Sequence, residues 1–230
     1  MAANSFTNEI RTGMLSVDEI GRGMYKAFRN SQALIEDAEI LLNVRPGRAL
    51  SLAVLAMEEL GKVILLADAA AKAAKAPIEW RDLERDFNLR SHQSKQLVIA
   101  IYGKTLLEGL AKKTGEGLYS EGIPAGVPPL LDWFKQMGFY VDVACGKFVS
   151  PDEFGKDNLD WAEWLIATVK ERIQSVAPMH QTEESSIKVA RHSAELETLL
   201  AEAKSEDELK EAFRDCLHSL IKSNAQTSRR

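Results

Sequence analysis

The residues best suited to chemistry lie between residues 81 and 95, where four basic side chains and one histidine occur against three acids. A histidine can act as general acid or base on a ribose 2′-hydroxyl or a leaving oxygen, and an arginine can hold a phosphate through its planar fork. His92 follows Arg85 by seven residues and precedes Lys95 by three. We therefore take His92 and Arg85 as candidate catalytic residues. The candidate phosphate-binding residues are Arg81, Arg90 and Lys95.

Two other interpretations of this basic segment stay open. The same residues could bind a phosphate without chemistry. His92 could also be a capping residue among solvated charges, because an arginine and a histidine at this separation form a weak pattern.

A second candidate group, Glu58-Glu59-Leu60-Gly61-Lys62, lies within the most apolar stretch of the chain. Charges there are costly unless paired, and Lys62 can pair with Glu58 at i,i+4 or with Glu59 at i,i+3. The two glutamates lie about 100° apart around a helix axis, so we expect one to face the interior and the other the rim. The alternative is an intrahelical salt bridge on an exposed strip, which contributes little stability.

Composition and motif searches narrow the functional classes. The chain has 230 residues, a net charge of −5 and two distant cysteines, so it favours a soluble protein without a disulfide scaffold or a cysteine-rich zinc site. It lacks the P-loop, GxGxxG, GxSxG, HExxH and Glu-x-x-His patterns, and we expect no metal and no cofactor. Charges interrupt the apolar stretch at 49–71, and the N-terminus lacks a signal-peptide pattern. We expect a cytoplasmic protein without a membrane span.

The hydrophobic periodicity is helical almost throughout. It predicts an all-α bundle with one small β-hairpin at about 139–149. A helix at about 92–112, a loop at 113–129 and a short helical turn at about 130–137 come before the hairpin, and a helix that Ser150 starts and Pro178 ends comes after it. Four regions follow: a flexible N-terminus at 1–14, a helical bundle at 15–176, an acidic pair of C-terminal helices at 177–223, and a flexible tail at 224–230.

Three segments in order give the chain a resemblance to a known family. They read RALSLAVLAMEELGKVILL, RSHQSK and GFYVDVACGKFVSP. Together they resemble the AbiV family of abortive-infection proteins, which is placed among HEPN domains, over about residues 20–176. The resemblance implies a HEPN-like helical bundle, a homodimer, and an arginine–histidine motif of metal-independent ribonucleases at the dimer interface. The extra C-terminal helices that the periodicity predicts lie outside it. The matching residues are Glu59, Lys62, His92 and Lys95, with a glutamate orienting Lys62 or His92.

Three hypotheses about function follow. The leading one is an antiphage effector that acts on RNA and halts translation, with His92 as acid–base and Arg85 or Arg90 on the phosphate. Lys62 or Lys95 would then stabilise the developing charge. The second is a non-catalytic helical module that binds a phage protein or a nucleotide. The third is an oligomerisation scaffold in which these charged residues form structural salt bridges.

Overall fold

A computed structural model describes residues 13–87, 127–144 and 146–202. In chain order its elements are β1 (Met14–Leu15), α1 (Val17–Leu41), α2 (Pro46–Ala73), β2 (Ile78–Glu79), α3 (Trp80–Phe87), α4 (Val127–Phe139), β3 (Asp142–Ala144), β4 (Lys147–Val149), α5 (Pro151–Asp157), α6 (Leu159–His180) and α7 (Glu183–Glu202). The predicted all-α fold with a small hairpin is confirmed.

The predicted hairpin is present, but its strands are shorter than 139–149. Strand β3 pairs antiparallel with β4, with Asp142 opposite Val149 and Val143 opposite Phe148. Phe139 belongs to α4 instead. A second strand pair was not predicted: β1 pairs antiparallel with β2. Each of its strands has two residues, too few for an alternating pattern to be visible in sequence.

Prolines account for two further differences from the prediction. Helix α4 begins at Val127, inside the predicted loop, because the prolines at 128 and 129 fall in the first turn, where an N–H has no helical acceptor. Pro178 does not end its helix, since α6 continues to His180. In the last turn a proline removes one backbone hydrogen bond without breaking a long helix.

The predicted N-cap at Ser150 is confirmed, although the helix is split. The Ser150 hydroxyl accepts from the Glu153 amide at 3.3 Å, and the Ser150 amide donates to the Glu153 carboxylate at 2.9 Å. The helix that this capping box starts ends after Asp157, and α6 begins at Leu159. The Asn158 amide group donates to the Phe154 carbonyl at 2.8 Å and so satisfies a terminal carbonyl of α5.

The chain divides into two compact units. Of the described residues, the first unit holds 13–26, 63–87 and 177–202. Its buried side chains include Ile20, Met24, Leu66 and Leu83. Helices α1 and α7 approach closely here, since a Cβ on Gly21 would lie 2.6 Å from the Ile187 Cα.

The second unit holds 27–62, 127–144 and 146–176 among the described residues. Helices α2, α4 and α5 meet there at three glycines, Gly47, Gly138 and Gly155, where an added Cβ would overlap a neighbouring backbone. The buried Ser51 hydroxyl lies 3.0 Å from the Lys135 carbonyl oxygen, a second link between α2 and α4.

Several predictions concern residues outside the described ranges. They are the helix at 92–112, most of the loop at 113–129, the second acidic helix and both termini; the domain boundaries also stay predictions. Within the described ranges, no helix combines the length and the apolar character that crossing a membrane requires.

Candidate functional site

The described residues include four of the seven predicted site residues. Glu59 and Lys62 lie on α2 in the second unit, whereas Arg81 and Arg85 lie on α3 in the first. The other three, Arg90, His92 and Lys95, lie outside the described residues. The two described groups therefore belong to different units.

Glu59 and Lys62 form an ion pair within one helix. The Lys62 Nζ lies 2.5 Å from a Glu59 carboxylate oxygen, at the i,i+3 spacing that the sequence offers. Both side chains are partly exposed. The Glu59 carboxylate holds the Lys62 ammonium on the partly exposed side of α2, where a small charged ligand could still reach it.

Glu58 takes part in a different and deeply buried ion pair. Its carboxylate lies 3.1 Å from the Lys135 Nζ on α4, and the two side chains are 2% and 7% exposed. Asp132 lies 2.8 Å from the same Nζ and reaches the surface. The ammonium of Lys135 thus has a carboxylate on each of two helices, which compensates for its burial.

Lys135 and Asp132 were not predicted as part of a polar site. Their i,i+3 spacing in the apolar run of α4 was the available signal, because a lysine in such a run needs a partner. The predicted split of the two glutamates is observed: Glu58 faces the interior and Glu59 the rim. Glu59 also holds Lys62, one of the two orientations that the resemblance implied.

Arg85 lies at the centre of a compensated charge cluster on α3. Its guanidinium is 2.9 Å from carboxylate oxygens of both Asp82 and Asp86, and Asp86 also pairs with Lys72 of α2. Hydrogen bonds from Lys72 and then Arg85 hold the pKa of the Asp86 carboxyl below its usual value. The same aspartates raise the pKa of Arg85. The charges of the two cations and the two carboxylates cancel, and the Arg85 side chain is 71% exposed, so an incoming phosphate would compete with two aspartates for it.

A cavity of about 450 Å³ lies beside this cluster in the first unit. It is lined by Asp68, Ala71, Lys72, Lys75 and Glu197. Burial raises the pKa of the Asp68 carboxyl. The lining mixes both signs of charge, so it does not form a basic surface for a nucleic acid.

The sequence has no ligand-type cluster near His180 and so predicts a surface or capping residue, but the structure buries this side chain. It is 4% exposed, and its Nδ1 lies 3.0 Å from the Ser186 hydroxyl oxygen. Burial lowers the pKa of His180 to about 4. The Ser186 side chain is fully buried. Because neither group reaches solvent, this histidine–serine pair contributes to packing at the α6–α7 corner.

Among the described residues, no group of three or more histidine, cysteine, aspartate or glutamate side chains is placed to hold a metal ion.

The chain is similar to one known family. A family model described as AbiV, of the HEPN type, matches residues 19–174. No curated protein and no solved structure matches the chain.

Proposed function

Since this chain belongs to the AbiV family of abortive-infection proteins, within the HEPN superfamily, we propose that it is an antiphage effector. In this proposal it acts on RNA in the cytoplasm of an infected cell and so halts translation. A homodimer would place two copies of the basic segment along one RNA strand.

One observation carries the proposal: the family match covers residues 19–174 and so contains every candidate site residue. These are Glu59, Lys62, Arg81, Arg85, Arg90, His92 and Lys95. The partial exposure of the Glu59–Lys62 pair supports it further, because solvent still reaches the Lys62 ammonium.

The proposed chemistry is metal-independent transesterification. His92 removes the proton from a ribose 2′-hydroxyl, and the 2′-oxygen attacks the adjacent phosphorus. A 2′,3′-cyclic phosphate forms as the bond to the 5′-oxygen breaks, and that oxygen takes up a proton. Arg90, or Arg85 after release from its aspartates, holds the phosphate, while Lys62 or Lys95 stabilises its developing charge.

The biological claim is tested in infected cells. Bacteria that express the full chain should reduce phage plating efficiency, and incorporation of a labelled amino acid should fall after infection. His92→Ala should lose both effects at equal protein level. The proposal fails if protection occurs without any fall in amino-acid incorporation.

A non-catalytic module that binds a phage protein is the second candidate, and one observation favours it. Within the described ranges, both predicted catalytic cations, Lys62 and Arg85, already contact carboxylates. Such pairs hold the two cations in place and reduce the positive charge that they offer to a phosphate, which favours a binding surface over a reaction site. His92→Ala distinguishes the two candidates. It should abolish phage protection if the chain cleaves RNA, and it should leave protection intact if the chain only binds a phage protein.

A further inference from the structure

The β3–β4 hairpin exposes an apolar face. Val143 and Phe148 lie opposite each other and are 52% and 78% exposed, and Val141 lies two residues before Val143 on the same side. A two-stranded sheet is marginally stable alone, and a third strand or a covering layer stabilises it. Exposed apolar side chains of this kind mark interaction surfaces.

The two outer edges of the hairpin differ in their backbone groups. Ala144 pairs with Lys147 beside the turn, so the next pair, Val143 and Phe148, is the one whose N–H and C=O groups point outward. On β3 the outward Val143 N–H already donates to the Asp142 carboxylate at 2.7 Å. The outward N–H donor of β3 is thereby satisfied, whereas the Phe148 N–H on β4 has no such side-chain acceptor within the described residues.

We propose that the outer edge of β4 binds an extended segment of another protein as a third strand. The segment's backbone would pair with Phe148, and its apolar side chains would pack beside Val143 and Phe148. On the reverse face Lys147 is exposed. Hydrogen bonds from Ser150 and then the charge of Lys147 lower the pKa of the Glu153 carboxyl, so Lys147 attracts acids and the alternating positions of the segment would carry them. This inference is independent of any action on RNA.

The size of the face favours a peptide segment over a second copy of this chain. The exposed parts of Val141, Val143 and Phe148 amount to roughly 300 Å², if an aromatic residue has about 200 Å² and a valine about 150 Å². A stable complex buries about 800 Å² per partner, more than twice as much. Antiparallel pairing of two β4 strands would also bring the two Lys147 side chains together on one face, and like charges there repel.

The test uses a fluorescein-labelled peptide of six alternating valines and glutamates with the full-length protein. Fluorescence anisotropy should show saturable binding, and hydrogen exchange of the Phe148 amide should slow while that of Val143 does not. Phe148→Ser should weaken binding about tenfold. Lys147→Glu should instead select a peptide of alternating valines and lysines.

Matched controls separate edge pairing from nonspecific adhesion. Ile40→Ser removes an apolar side chain that is 74% exposed on α1 and should leave peptide binding unchanged. A peptide with proline at its central valine should not bind. Circular dichroism melts equal to the parent's establish that each variant is folded.

Three results would overturn the inference. The first is no peptide binding, and the second is binding that Phe148→Ser and Lys147→Glu leave unchanged. The third is a Phe148→Ser variant that turns a dimer into a monomer in sedimentation, which would assign the face to a second copy.

Discussion

At the scale of single residues, two adjacent glutamates of α2 have different roles. Glu58 compensates a buried lysine 77 residues away, whereas Glu59 holds Lys62 three residues along the same helix. Only the second contact can be read from spacing. The first depends on the approach of α2 to α4, so the sequence indicates that Glu58 needs a partner without indicating which one.

Removing one member of the buried pair should cost far more than removing one member of the exposed pair. Glu58→Gln leaves Lys135 underpaired, and we expect a loss of about 3 kcal/mol in the free energy of unfolding. Glu59→Gln is the matched control and should cost at most about 1 kcal/mol, because its pair is partly exposed. Urea unfolding at pH 7 measures both.

The double variant Glu58→Leu with Lys135→Met completes this test. Because it removes both buried charges, it should recover much of the stability that Glu58→Gln loses. Equal losses for Glu58→Gln and Glu59→Gln would contradict the assignment.

His180 should make stability depend on pH. Its pKa is about 4 in the folded chain against 6.5 for the ordinary group, so as the pH falls the unfolded chain takes up a proton before the folded chain does. The free energy of unfolding is therefore unaffected by this histidine above pH 6.5 and decreases as the pH falls from 6.5 towards 4. Between pH 7.5 and pH 5 this amounts to about 2 kcal/mol.

Comparing variants isolates this contribution from those of other titrating groups. His180→Gln should remove the pH-dependent difference when urea unfolding is measured at both pH values. Ser186→Ala deletes the hydrogen-bond partner without exposing the imidazole, so it should lower stability at both pH values and keep most of the difference. A His180→Gln variant with the parent's pH dependence would refute burial as the cause.

At the scale of elements, the start of α5 was predictable, whereas the start of α4 and the close approaches between helices were not. Ser150 and Glu153 form the predicted capping box because that signal is local in sequence. The contact of Gly21 with Ile187 depends on how α1 and α7 pack. A glycine inside a helix signals that some contact exists, but it does not name the neighbour.

Two glycines in α1 offer a matched pair of substitutions. Gly21→Ala would place its methyl group 2.6 Å from the Ile187 Cα, a backbone atom that cannot move alone, so we expect a loss of about 2 kcal/mol. Gly23→Ala meets only the end of the Leu66 side chain at 3.4 Å. It should be neutral or stabilise by up to about 1 kcal/mol through helix propensity.

Thermal unfolding of the two variants tests whether α1 and α7 approach closely at Gly21. A lower midpoint for Gly21→Ala alone supports the close approach of α1 and α7. Equal unfolding midpoints for the two variants would show that α1 and α7 leave room for a side chain larger than glycine at position 21.

At the scale of the whole molecule, the net charge of −5 conceals an uneven distribution. Ten acidic and five basic residues lie between 183 and 215, while the segment 81–95 is basic on balance. Fold class and family could be predicted because helical periodicity and three motif segments extend over most of the chain. The catalytic arrangement could not, because it requires Arg85 or Arg90 to meet His92 in space, and sequence separation does not determine that distance.

The central claim is that this family member acts on RNA, and cleavage by the purified chain tests it most directly. The full-length protein is incubated with transfer RNA and total RNA in EDTA, beside His92→Ala and the exposed-surface control Ile40→Ser. We predict cleavage with 2′,3′-cyclic phosphate ends by the parent and by Ile40→Ser, and a loss of at least about a hundredfold for His92→Ala. Intact RNA with the parent, or equal cleavage by His92→Ala, would contradict the account.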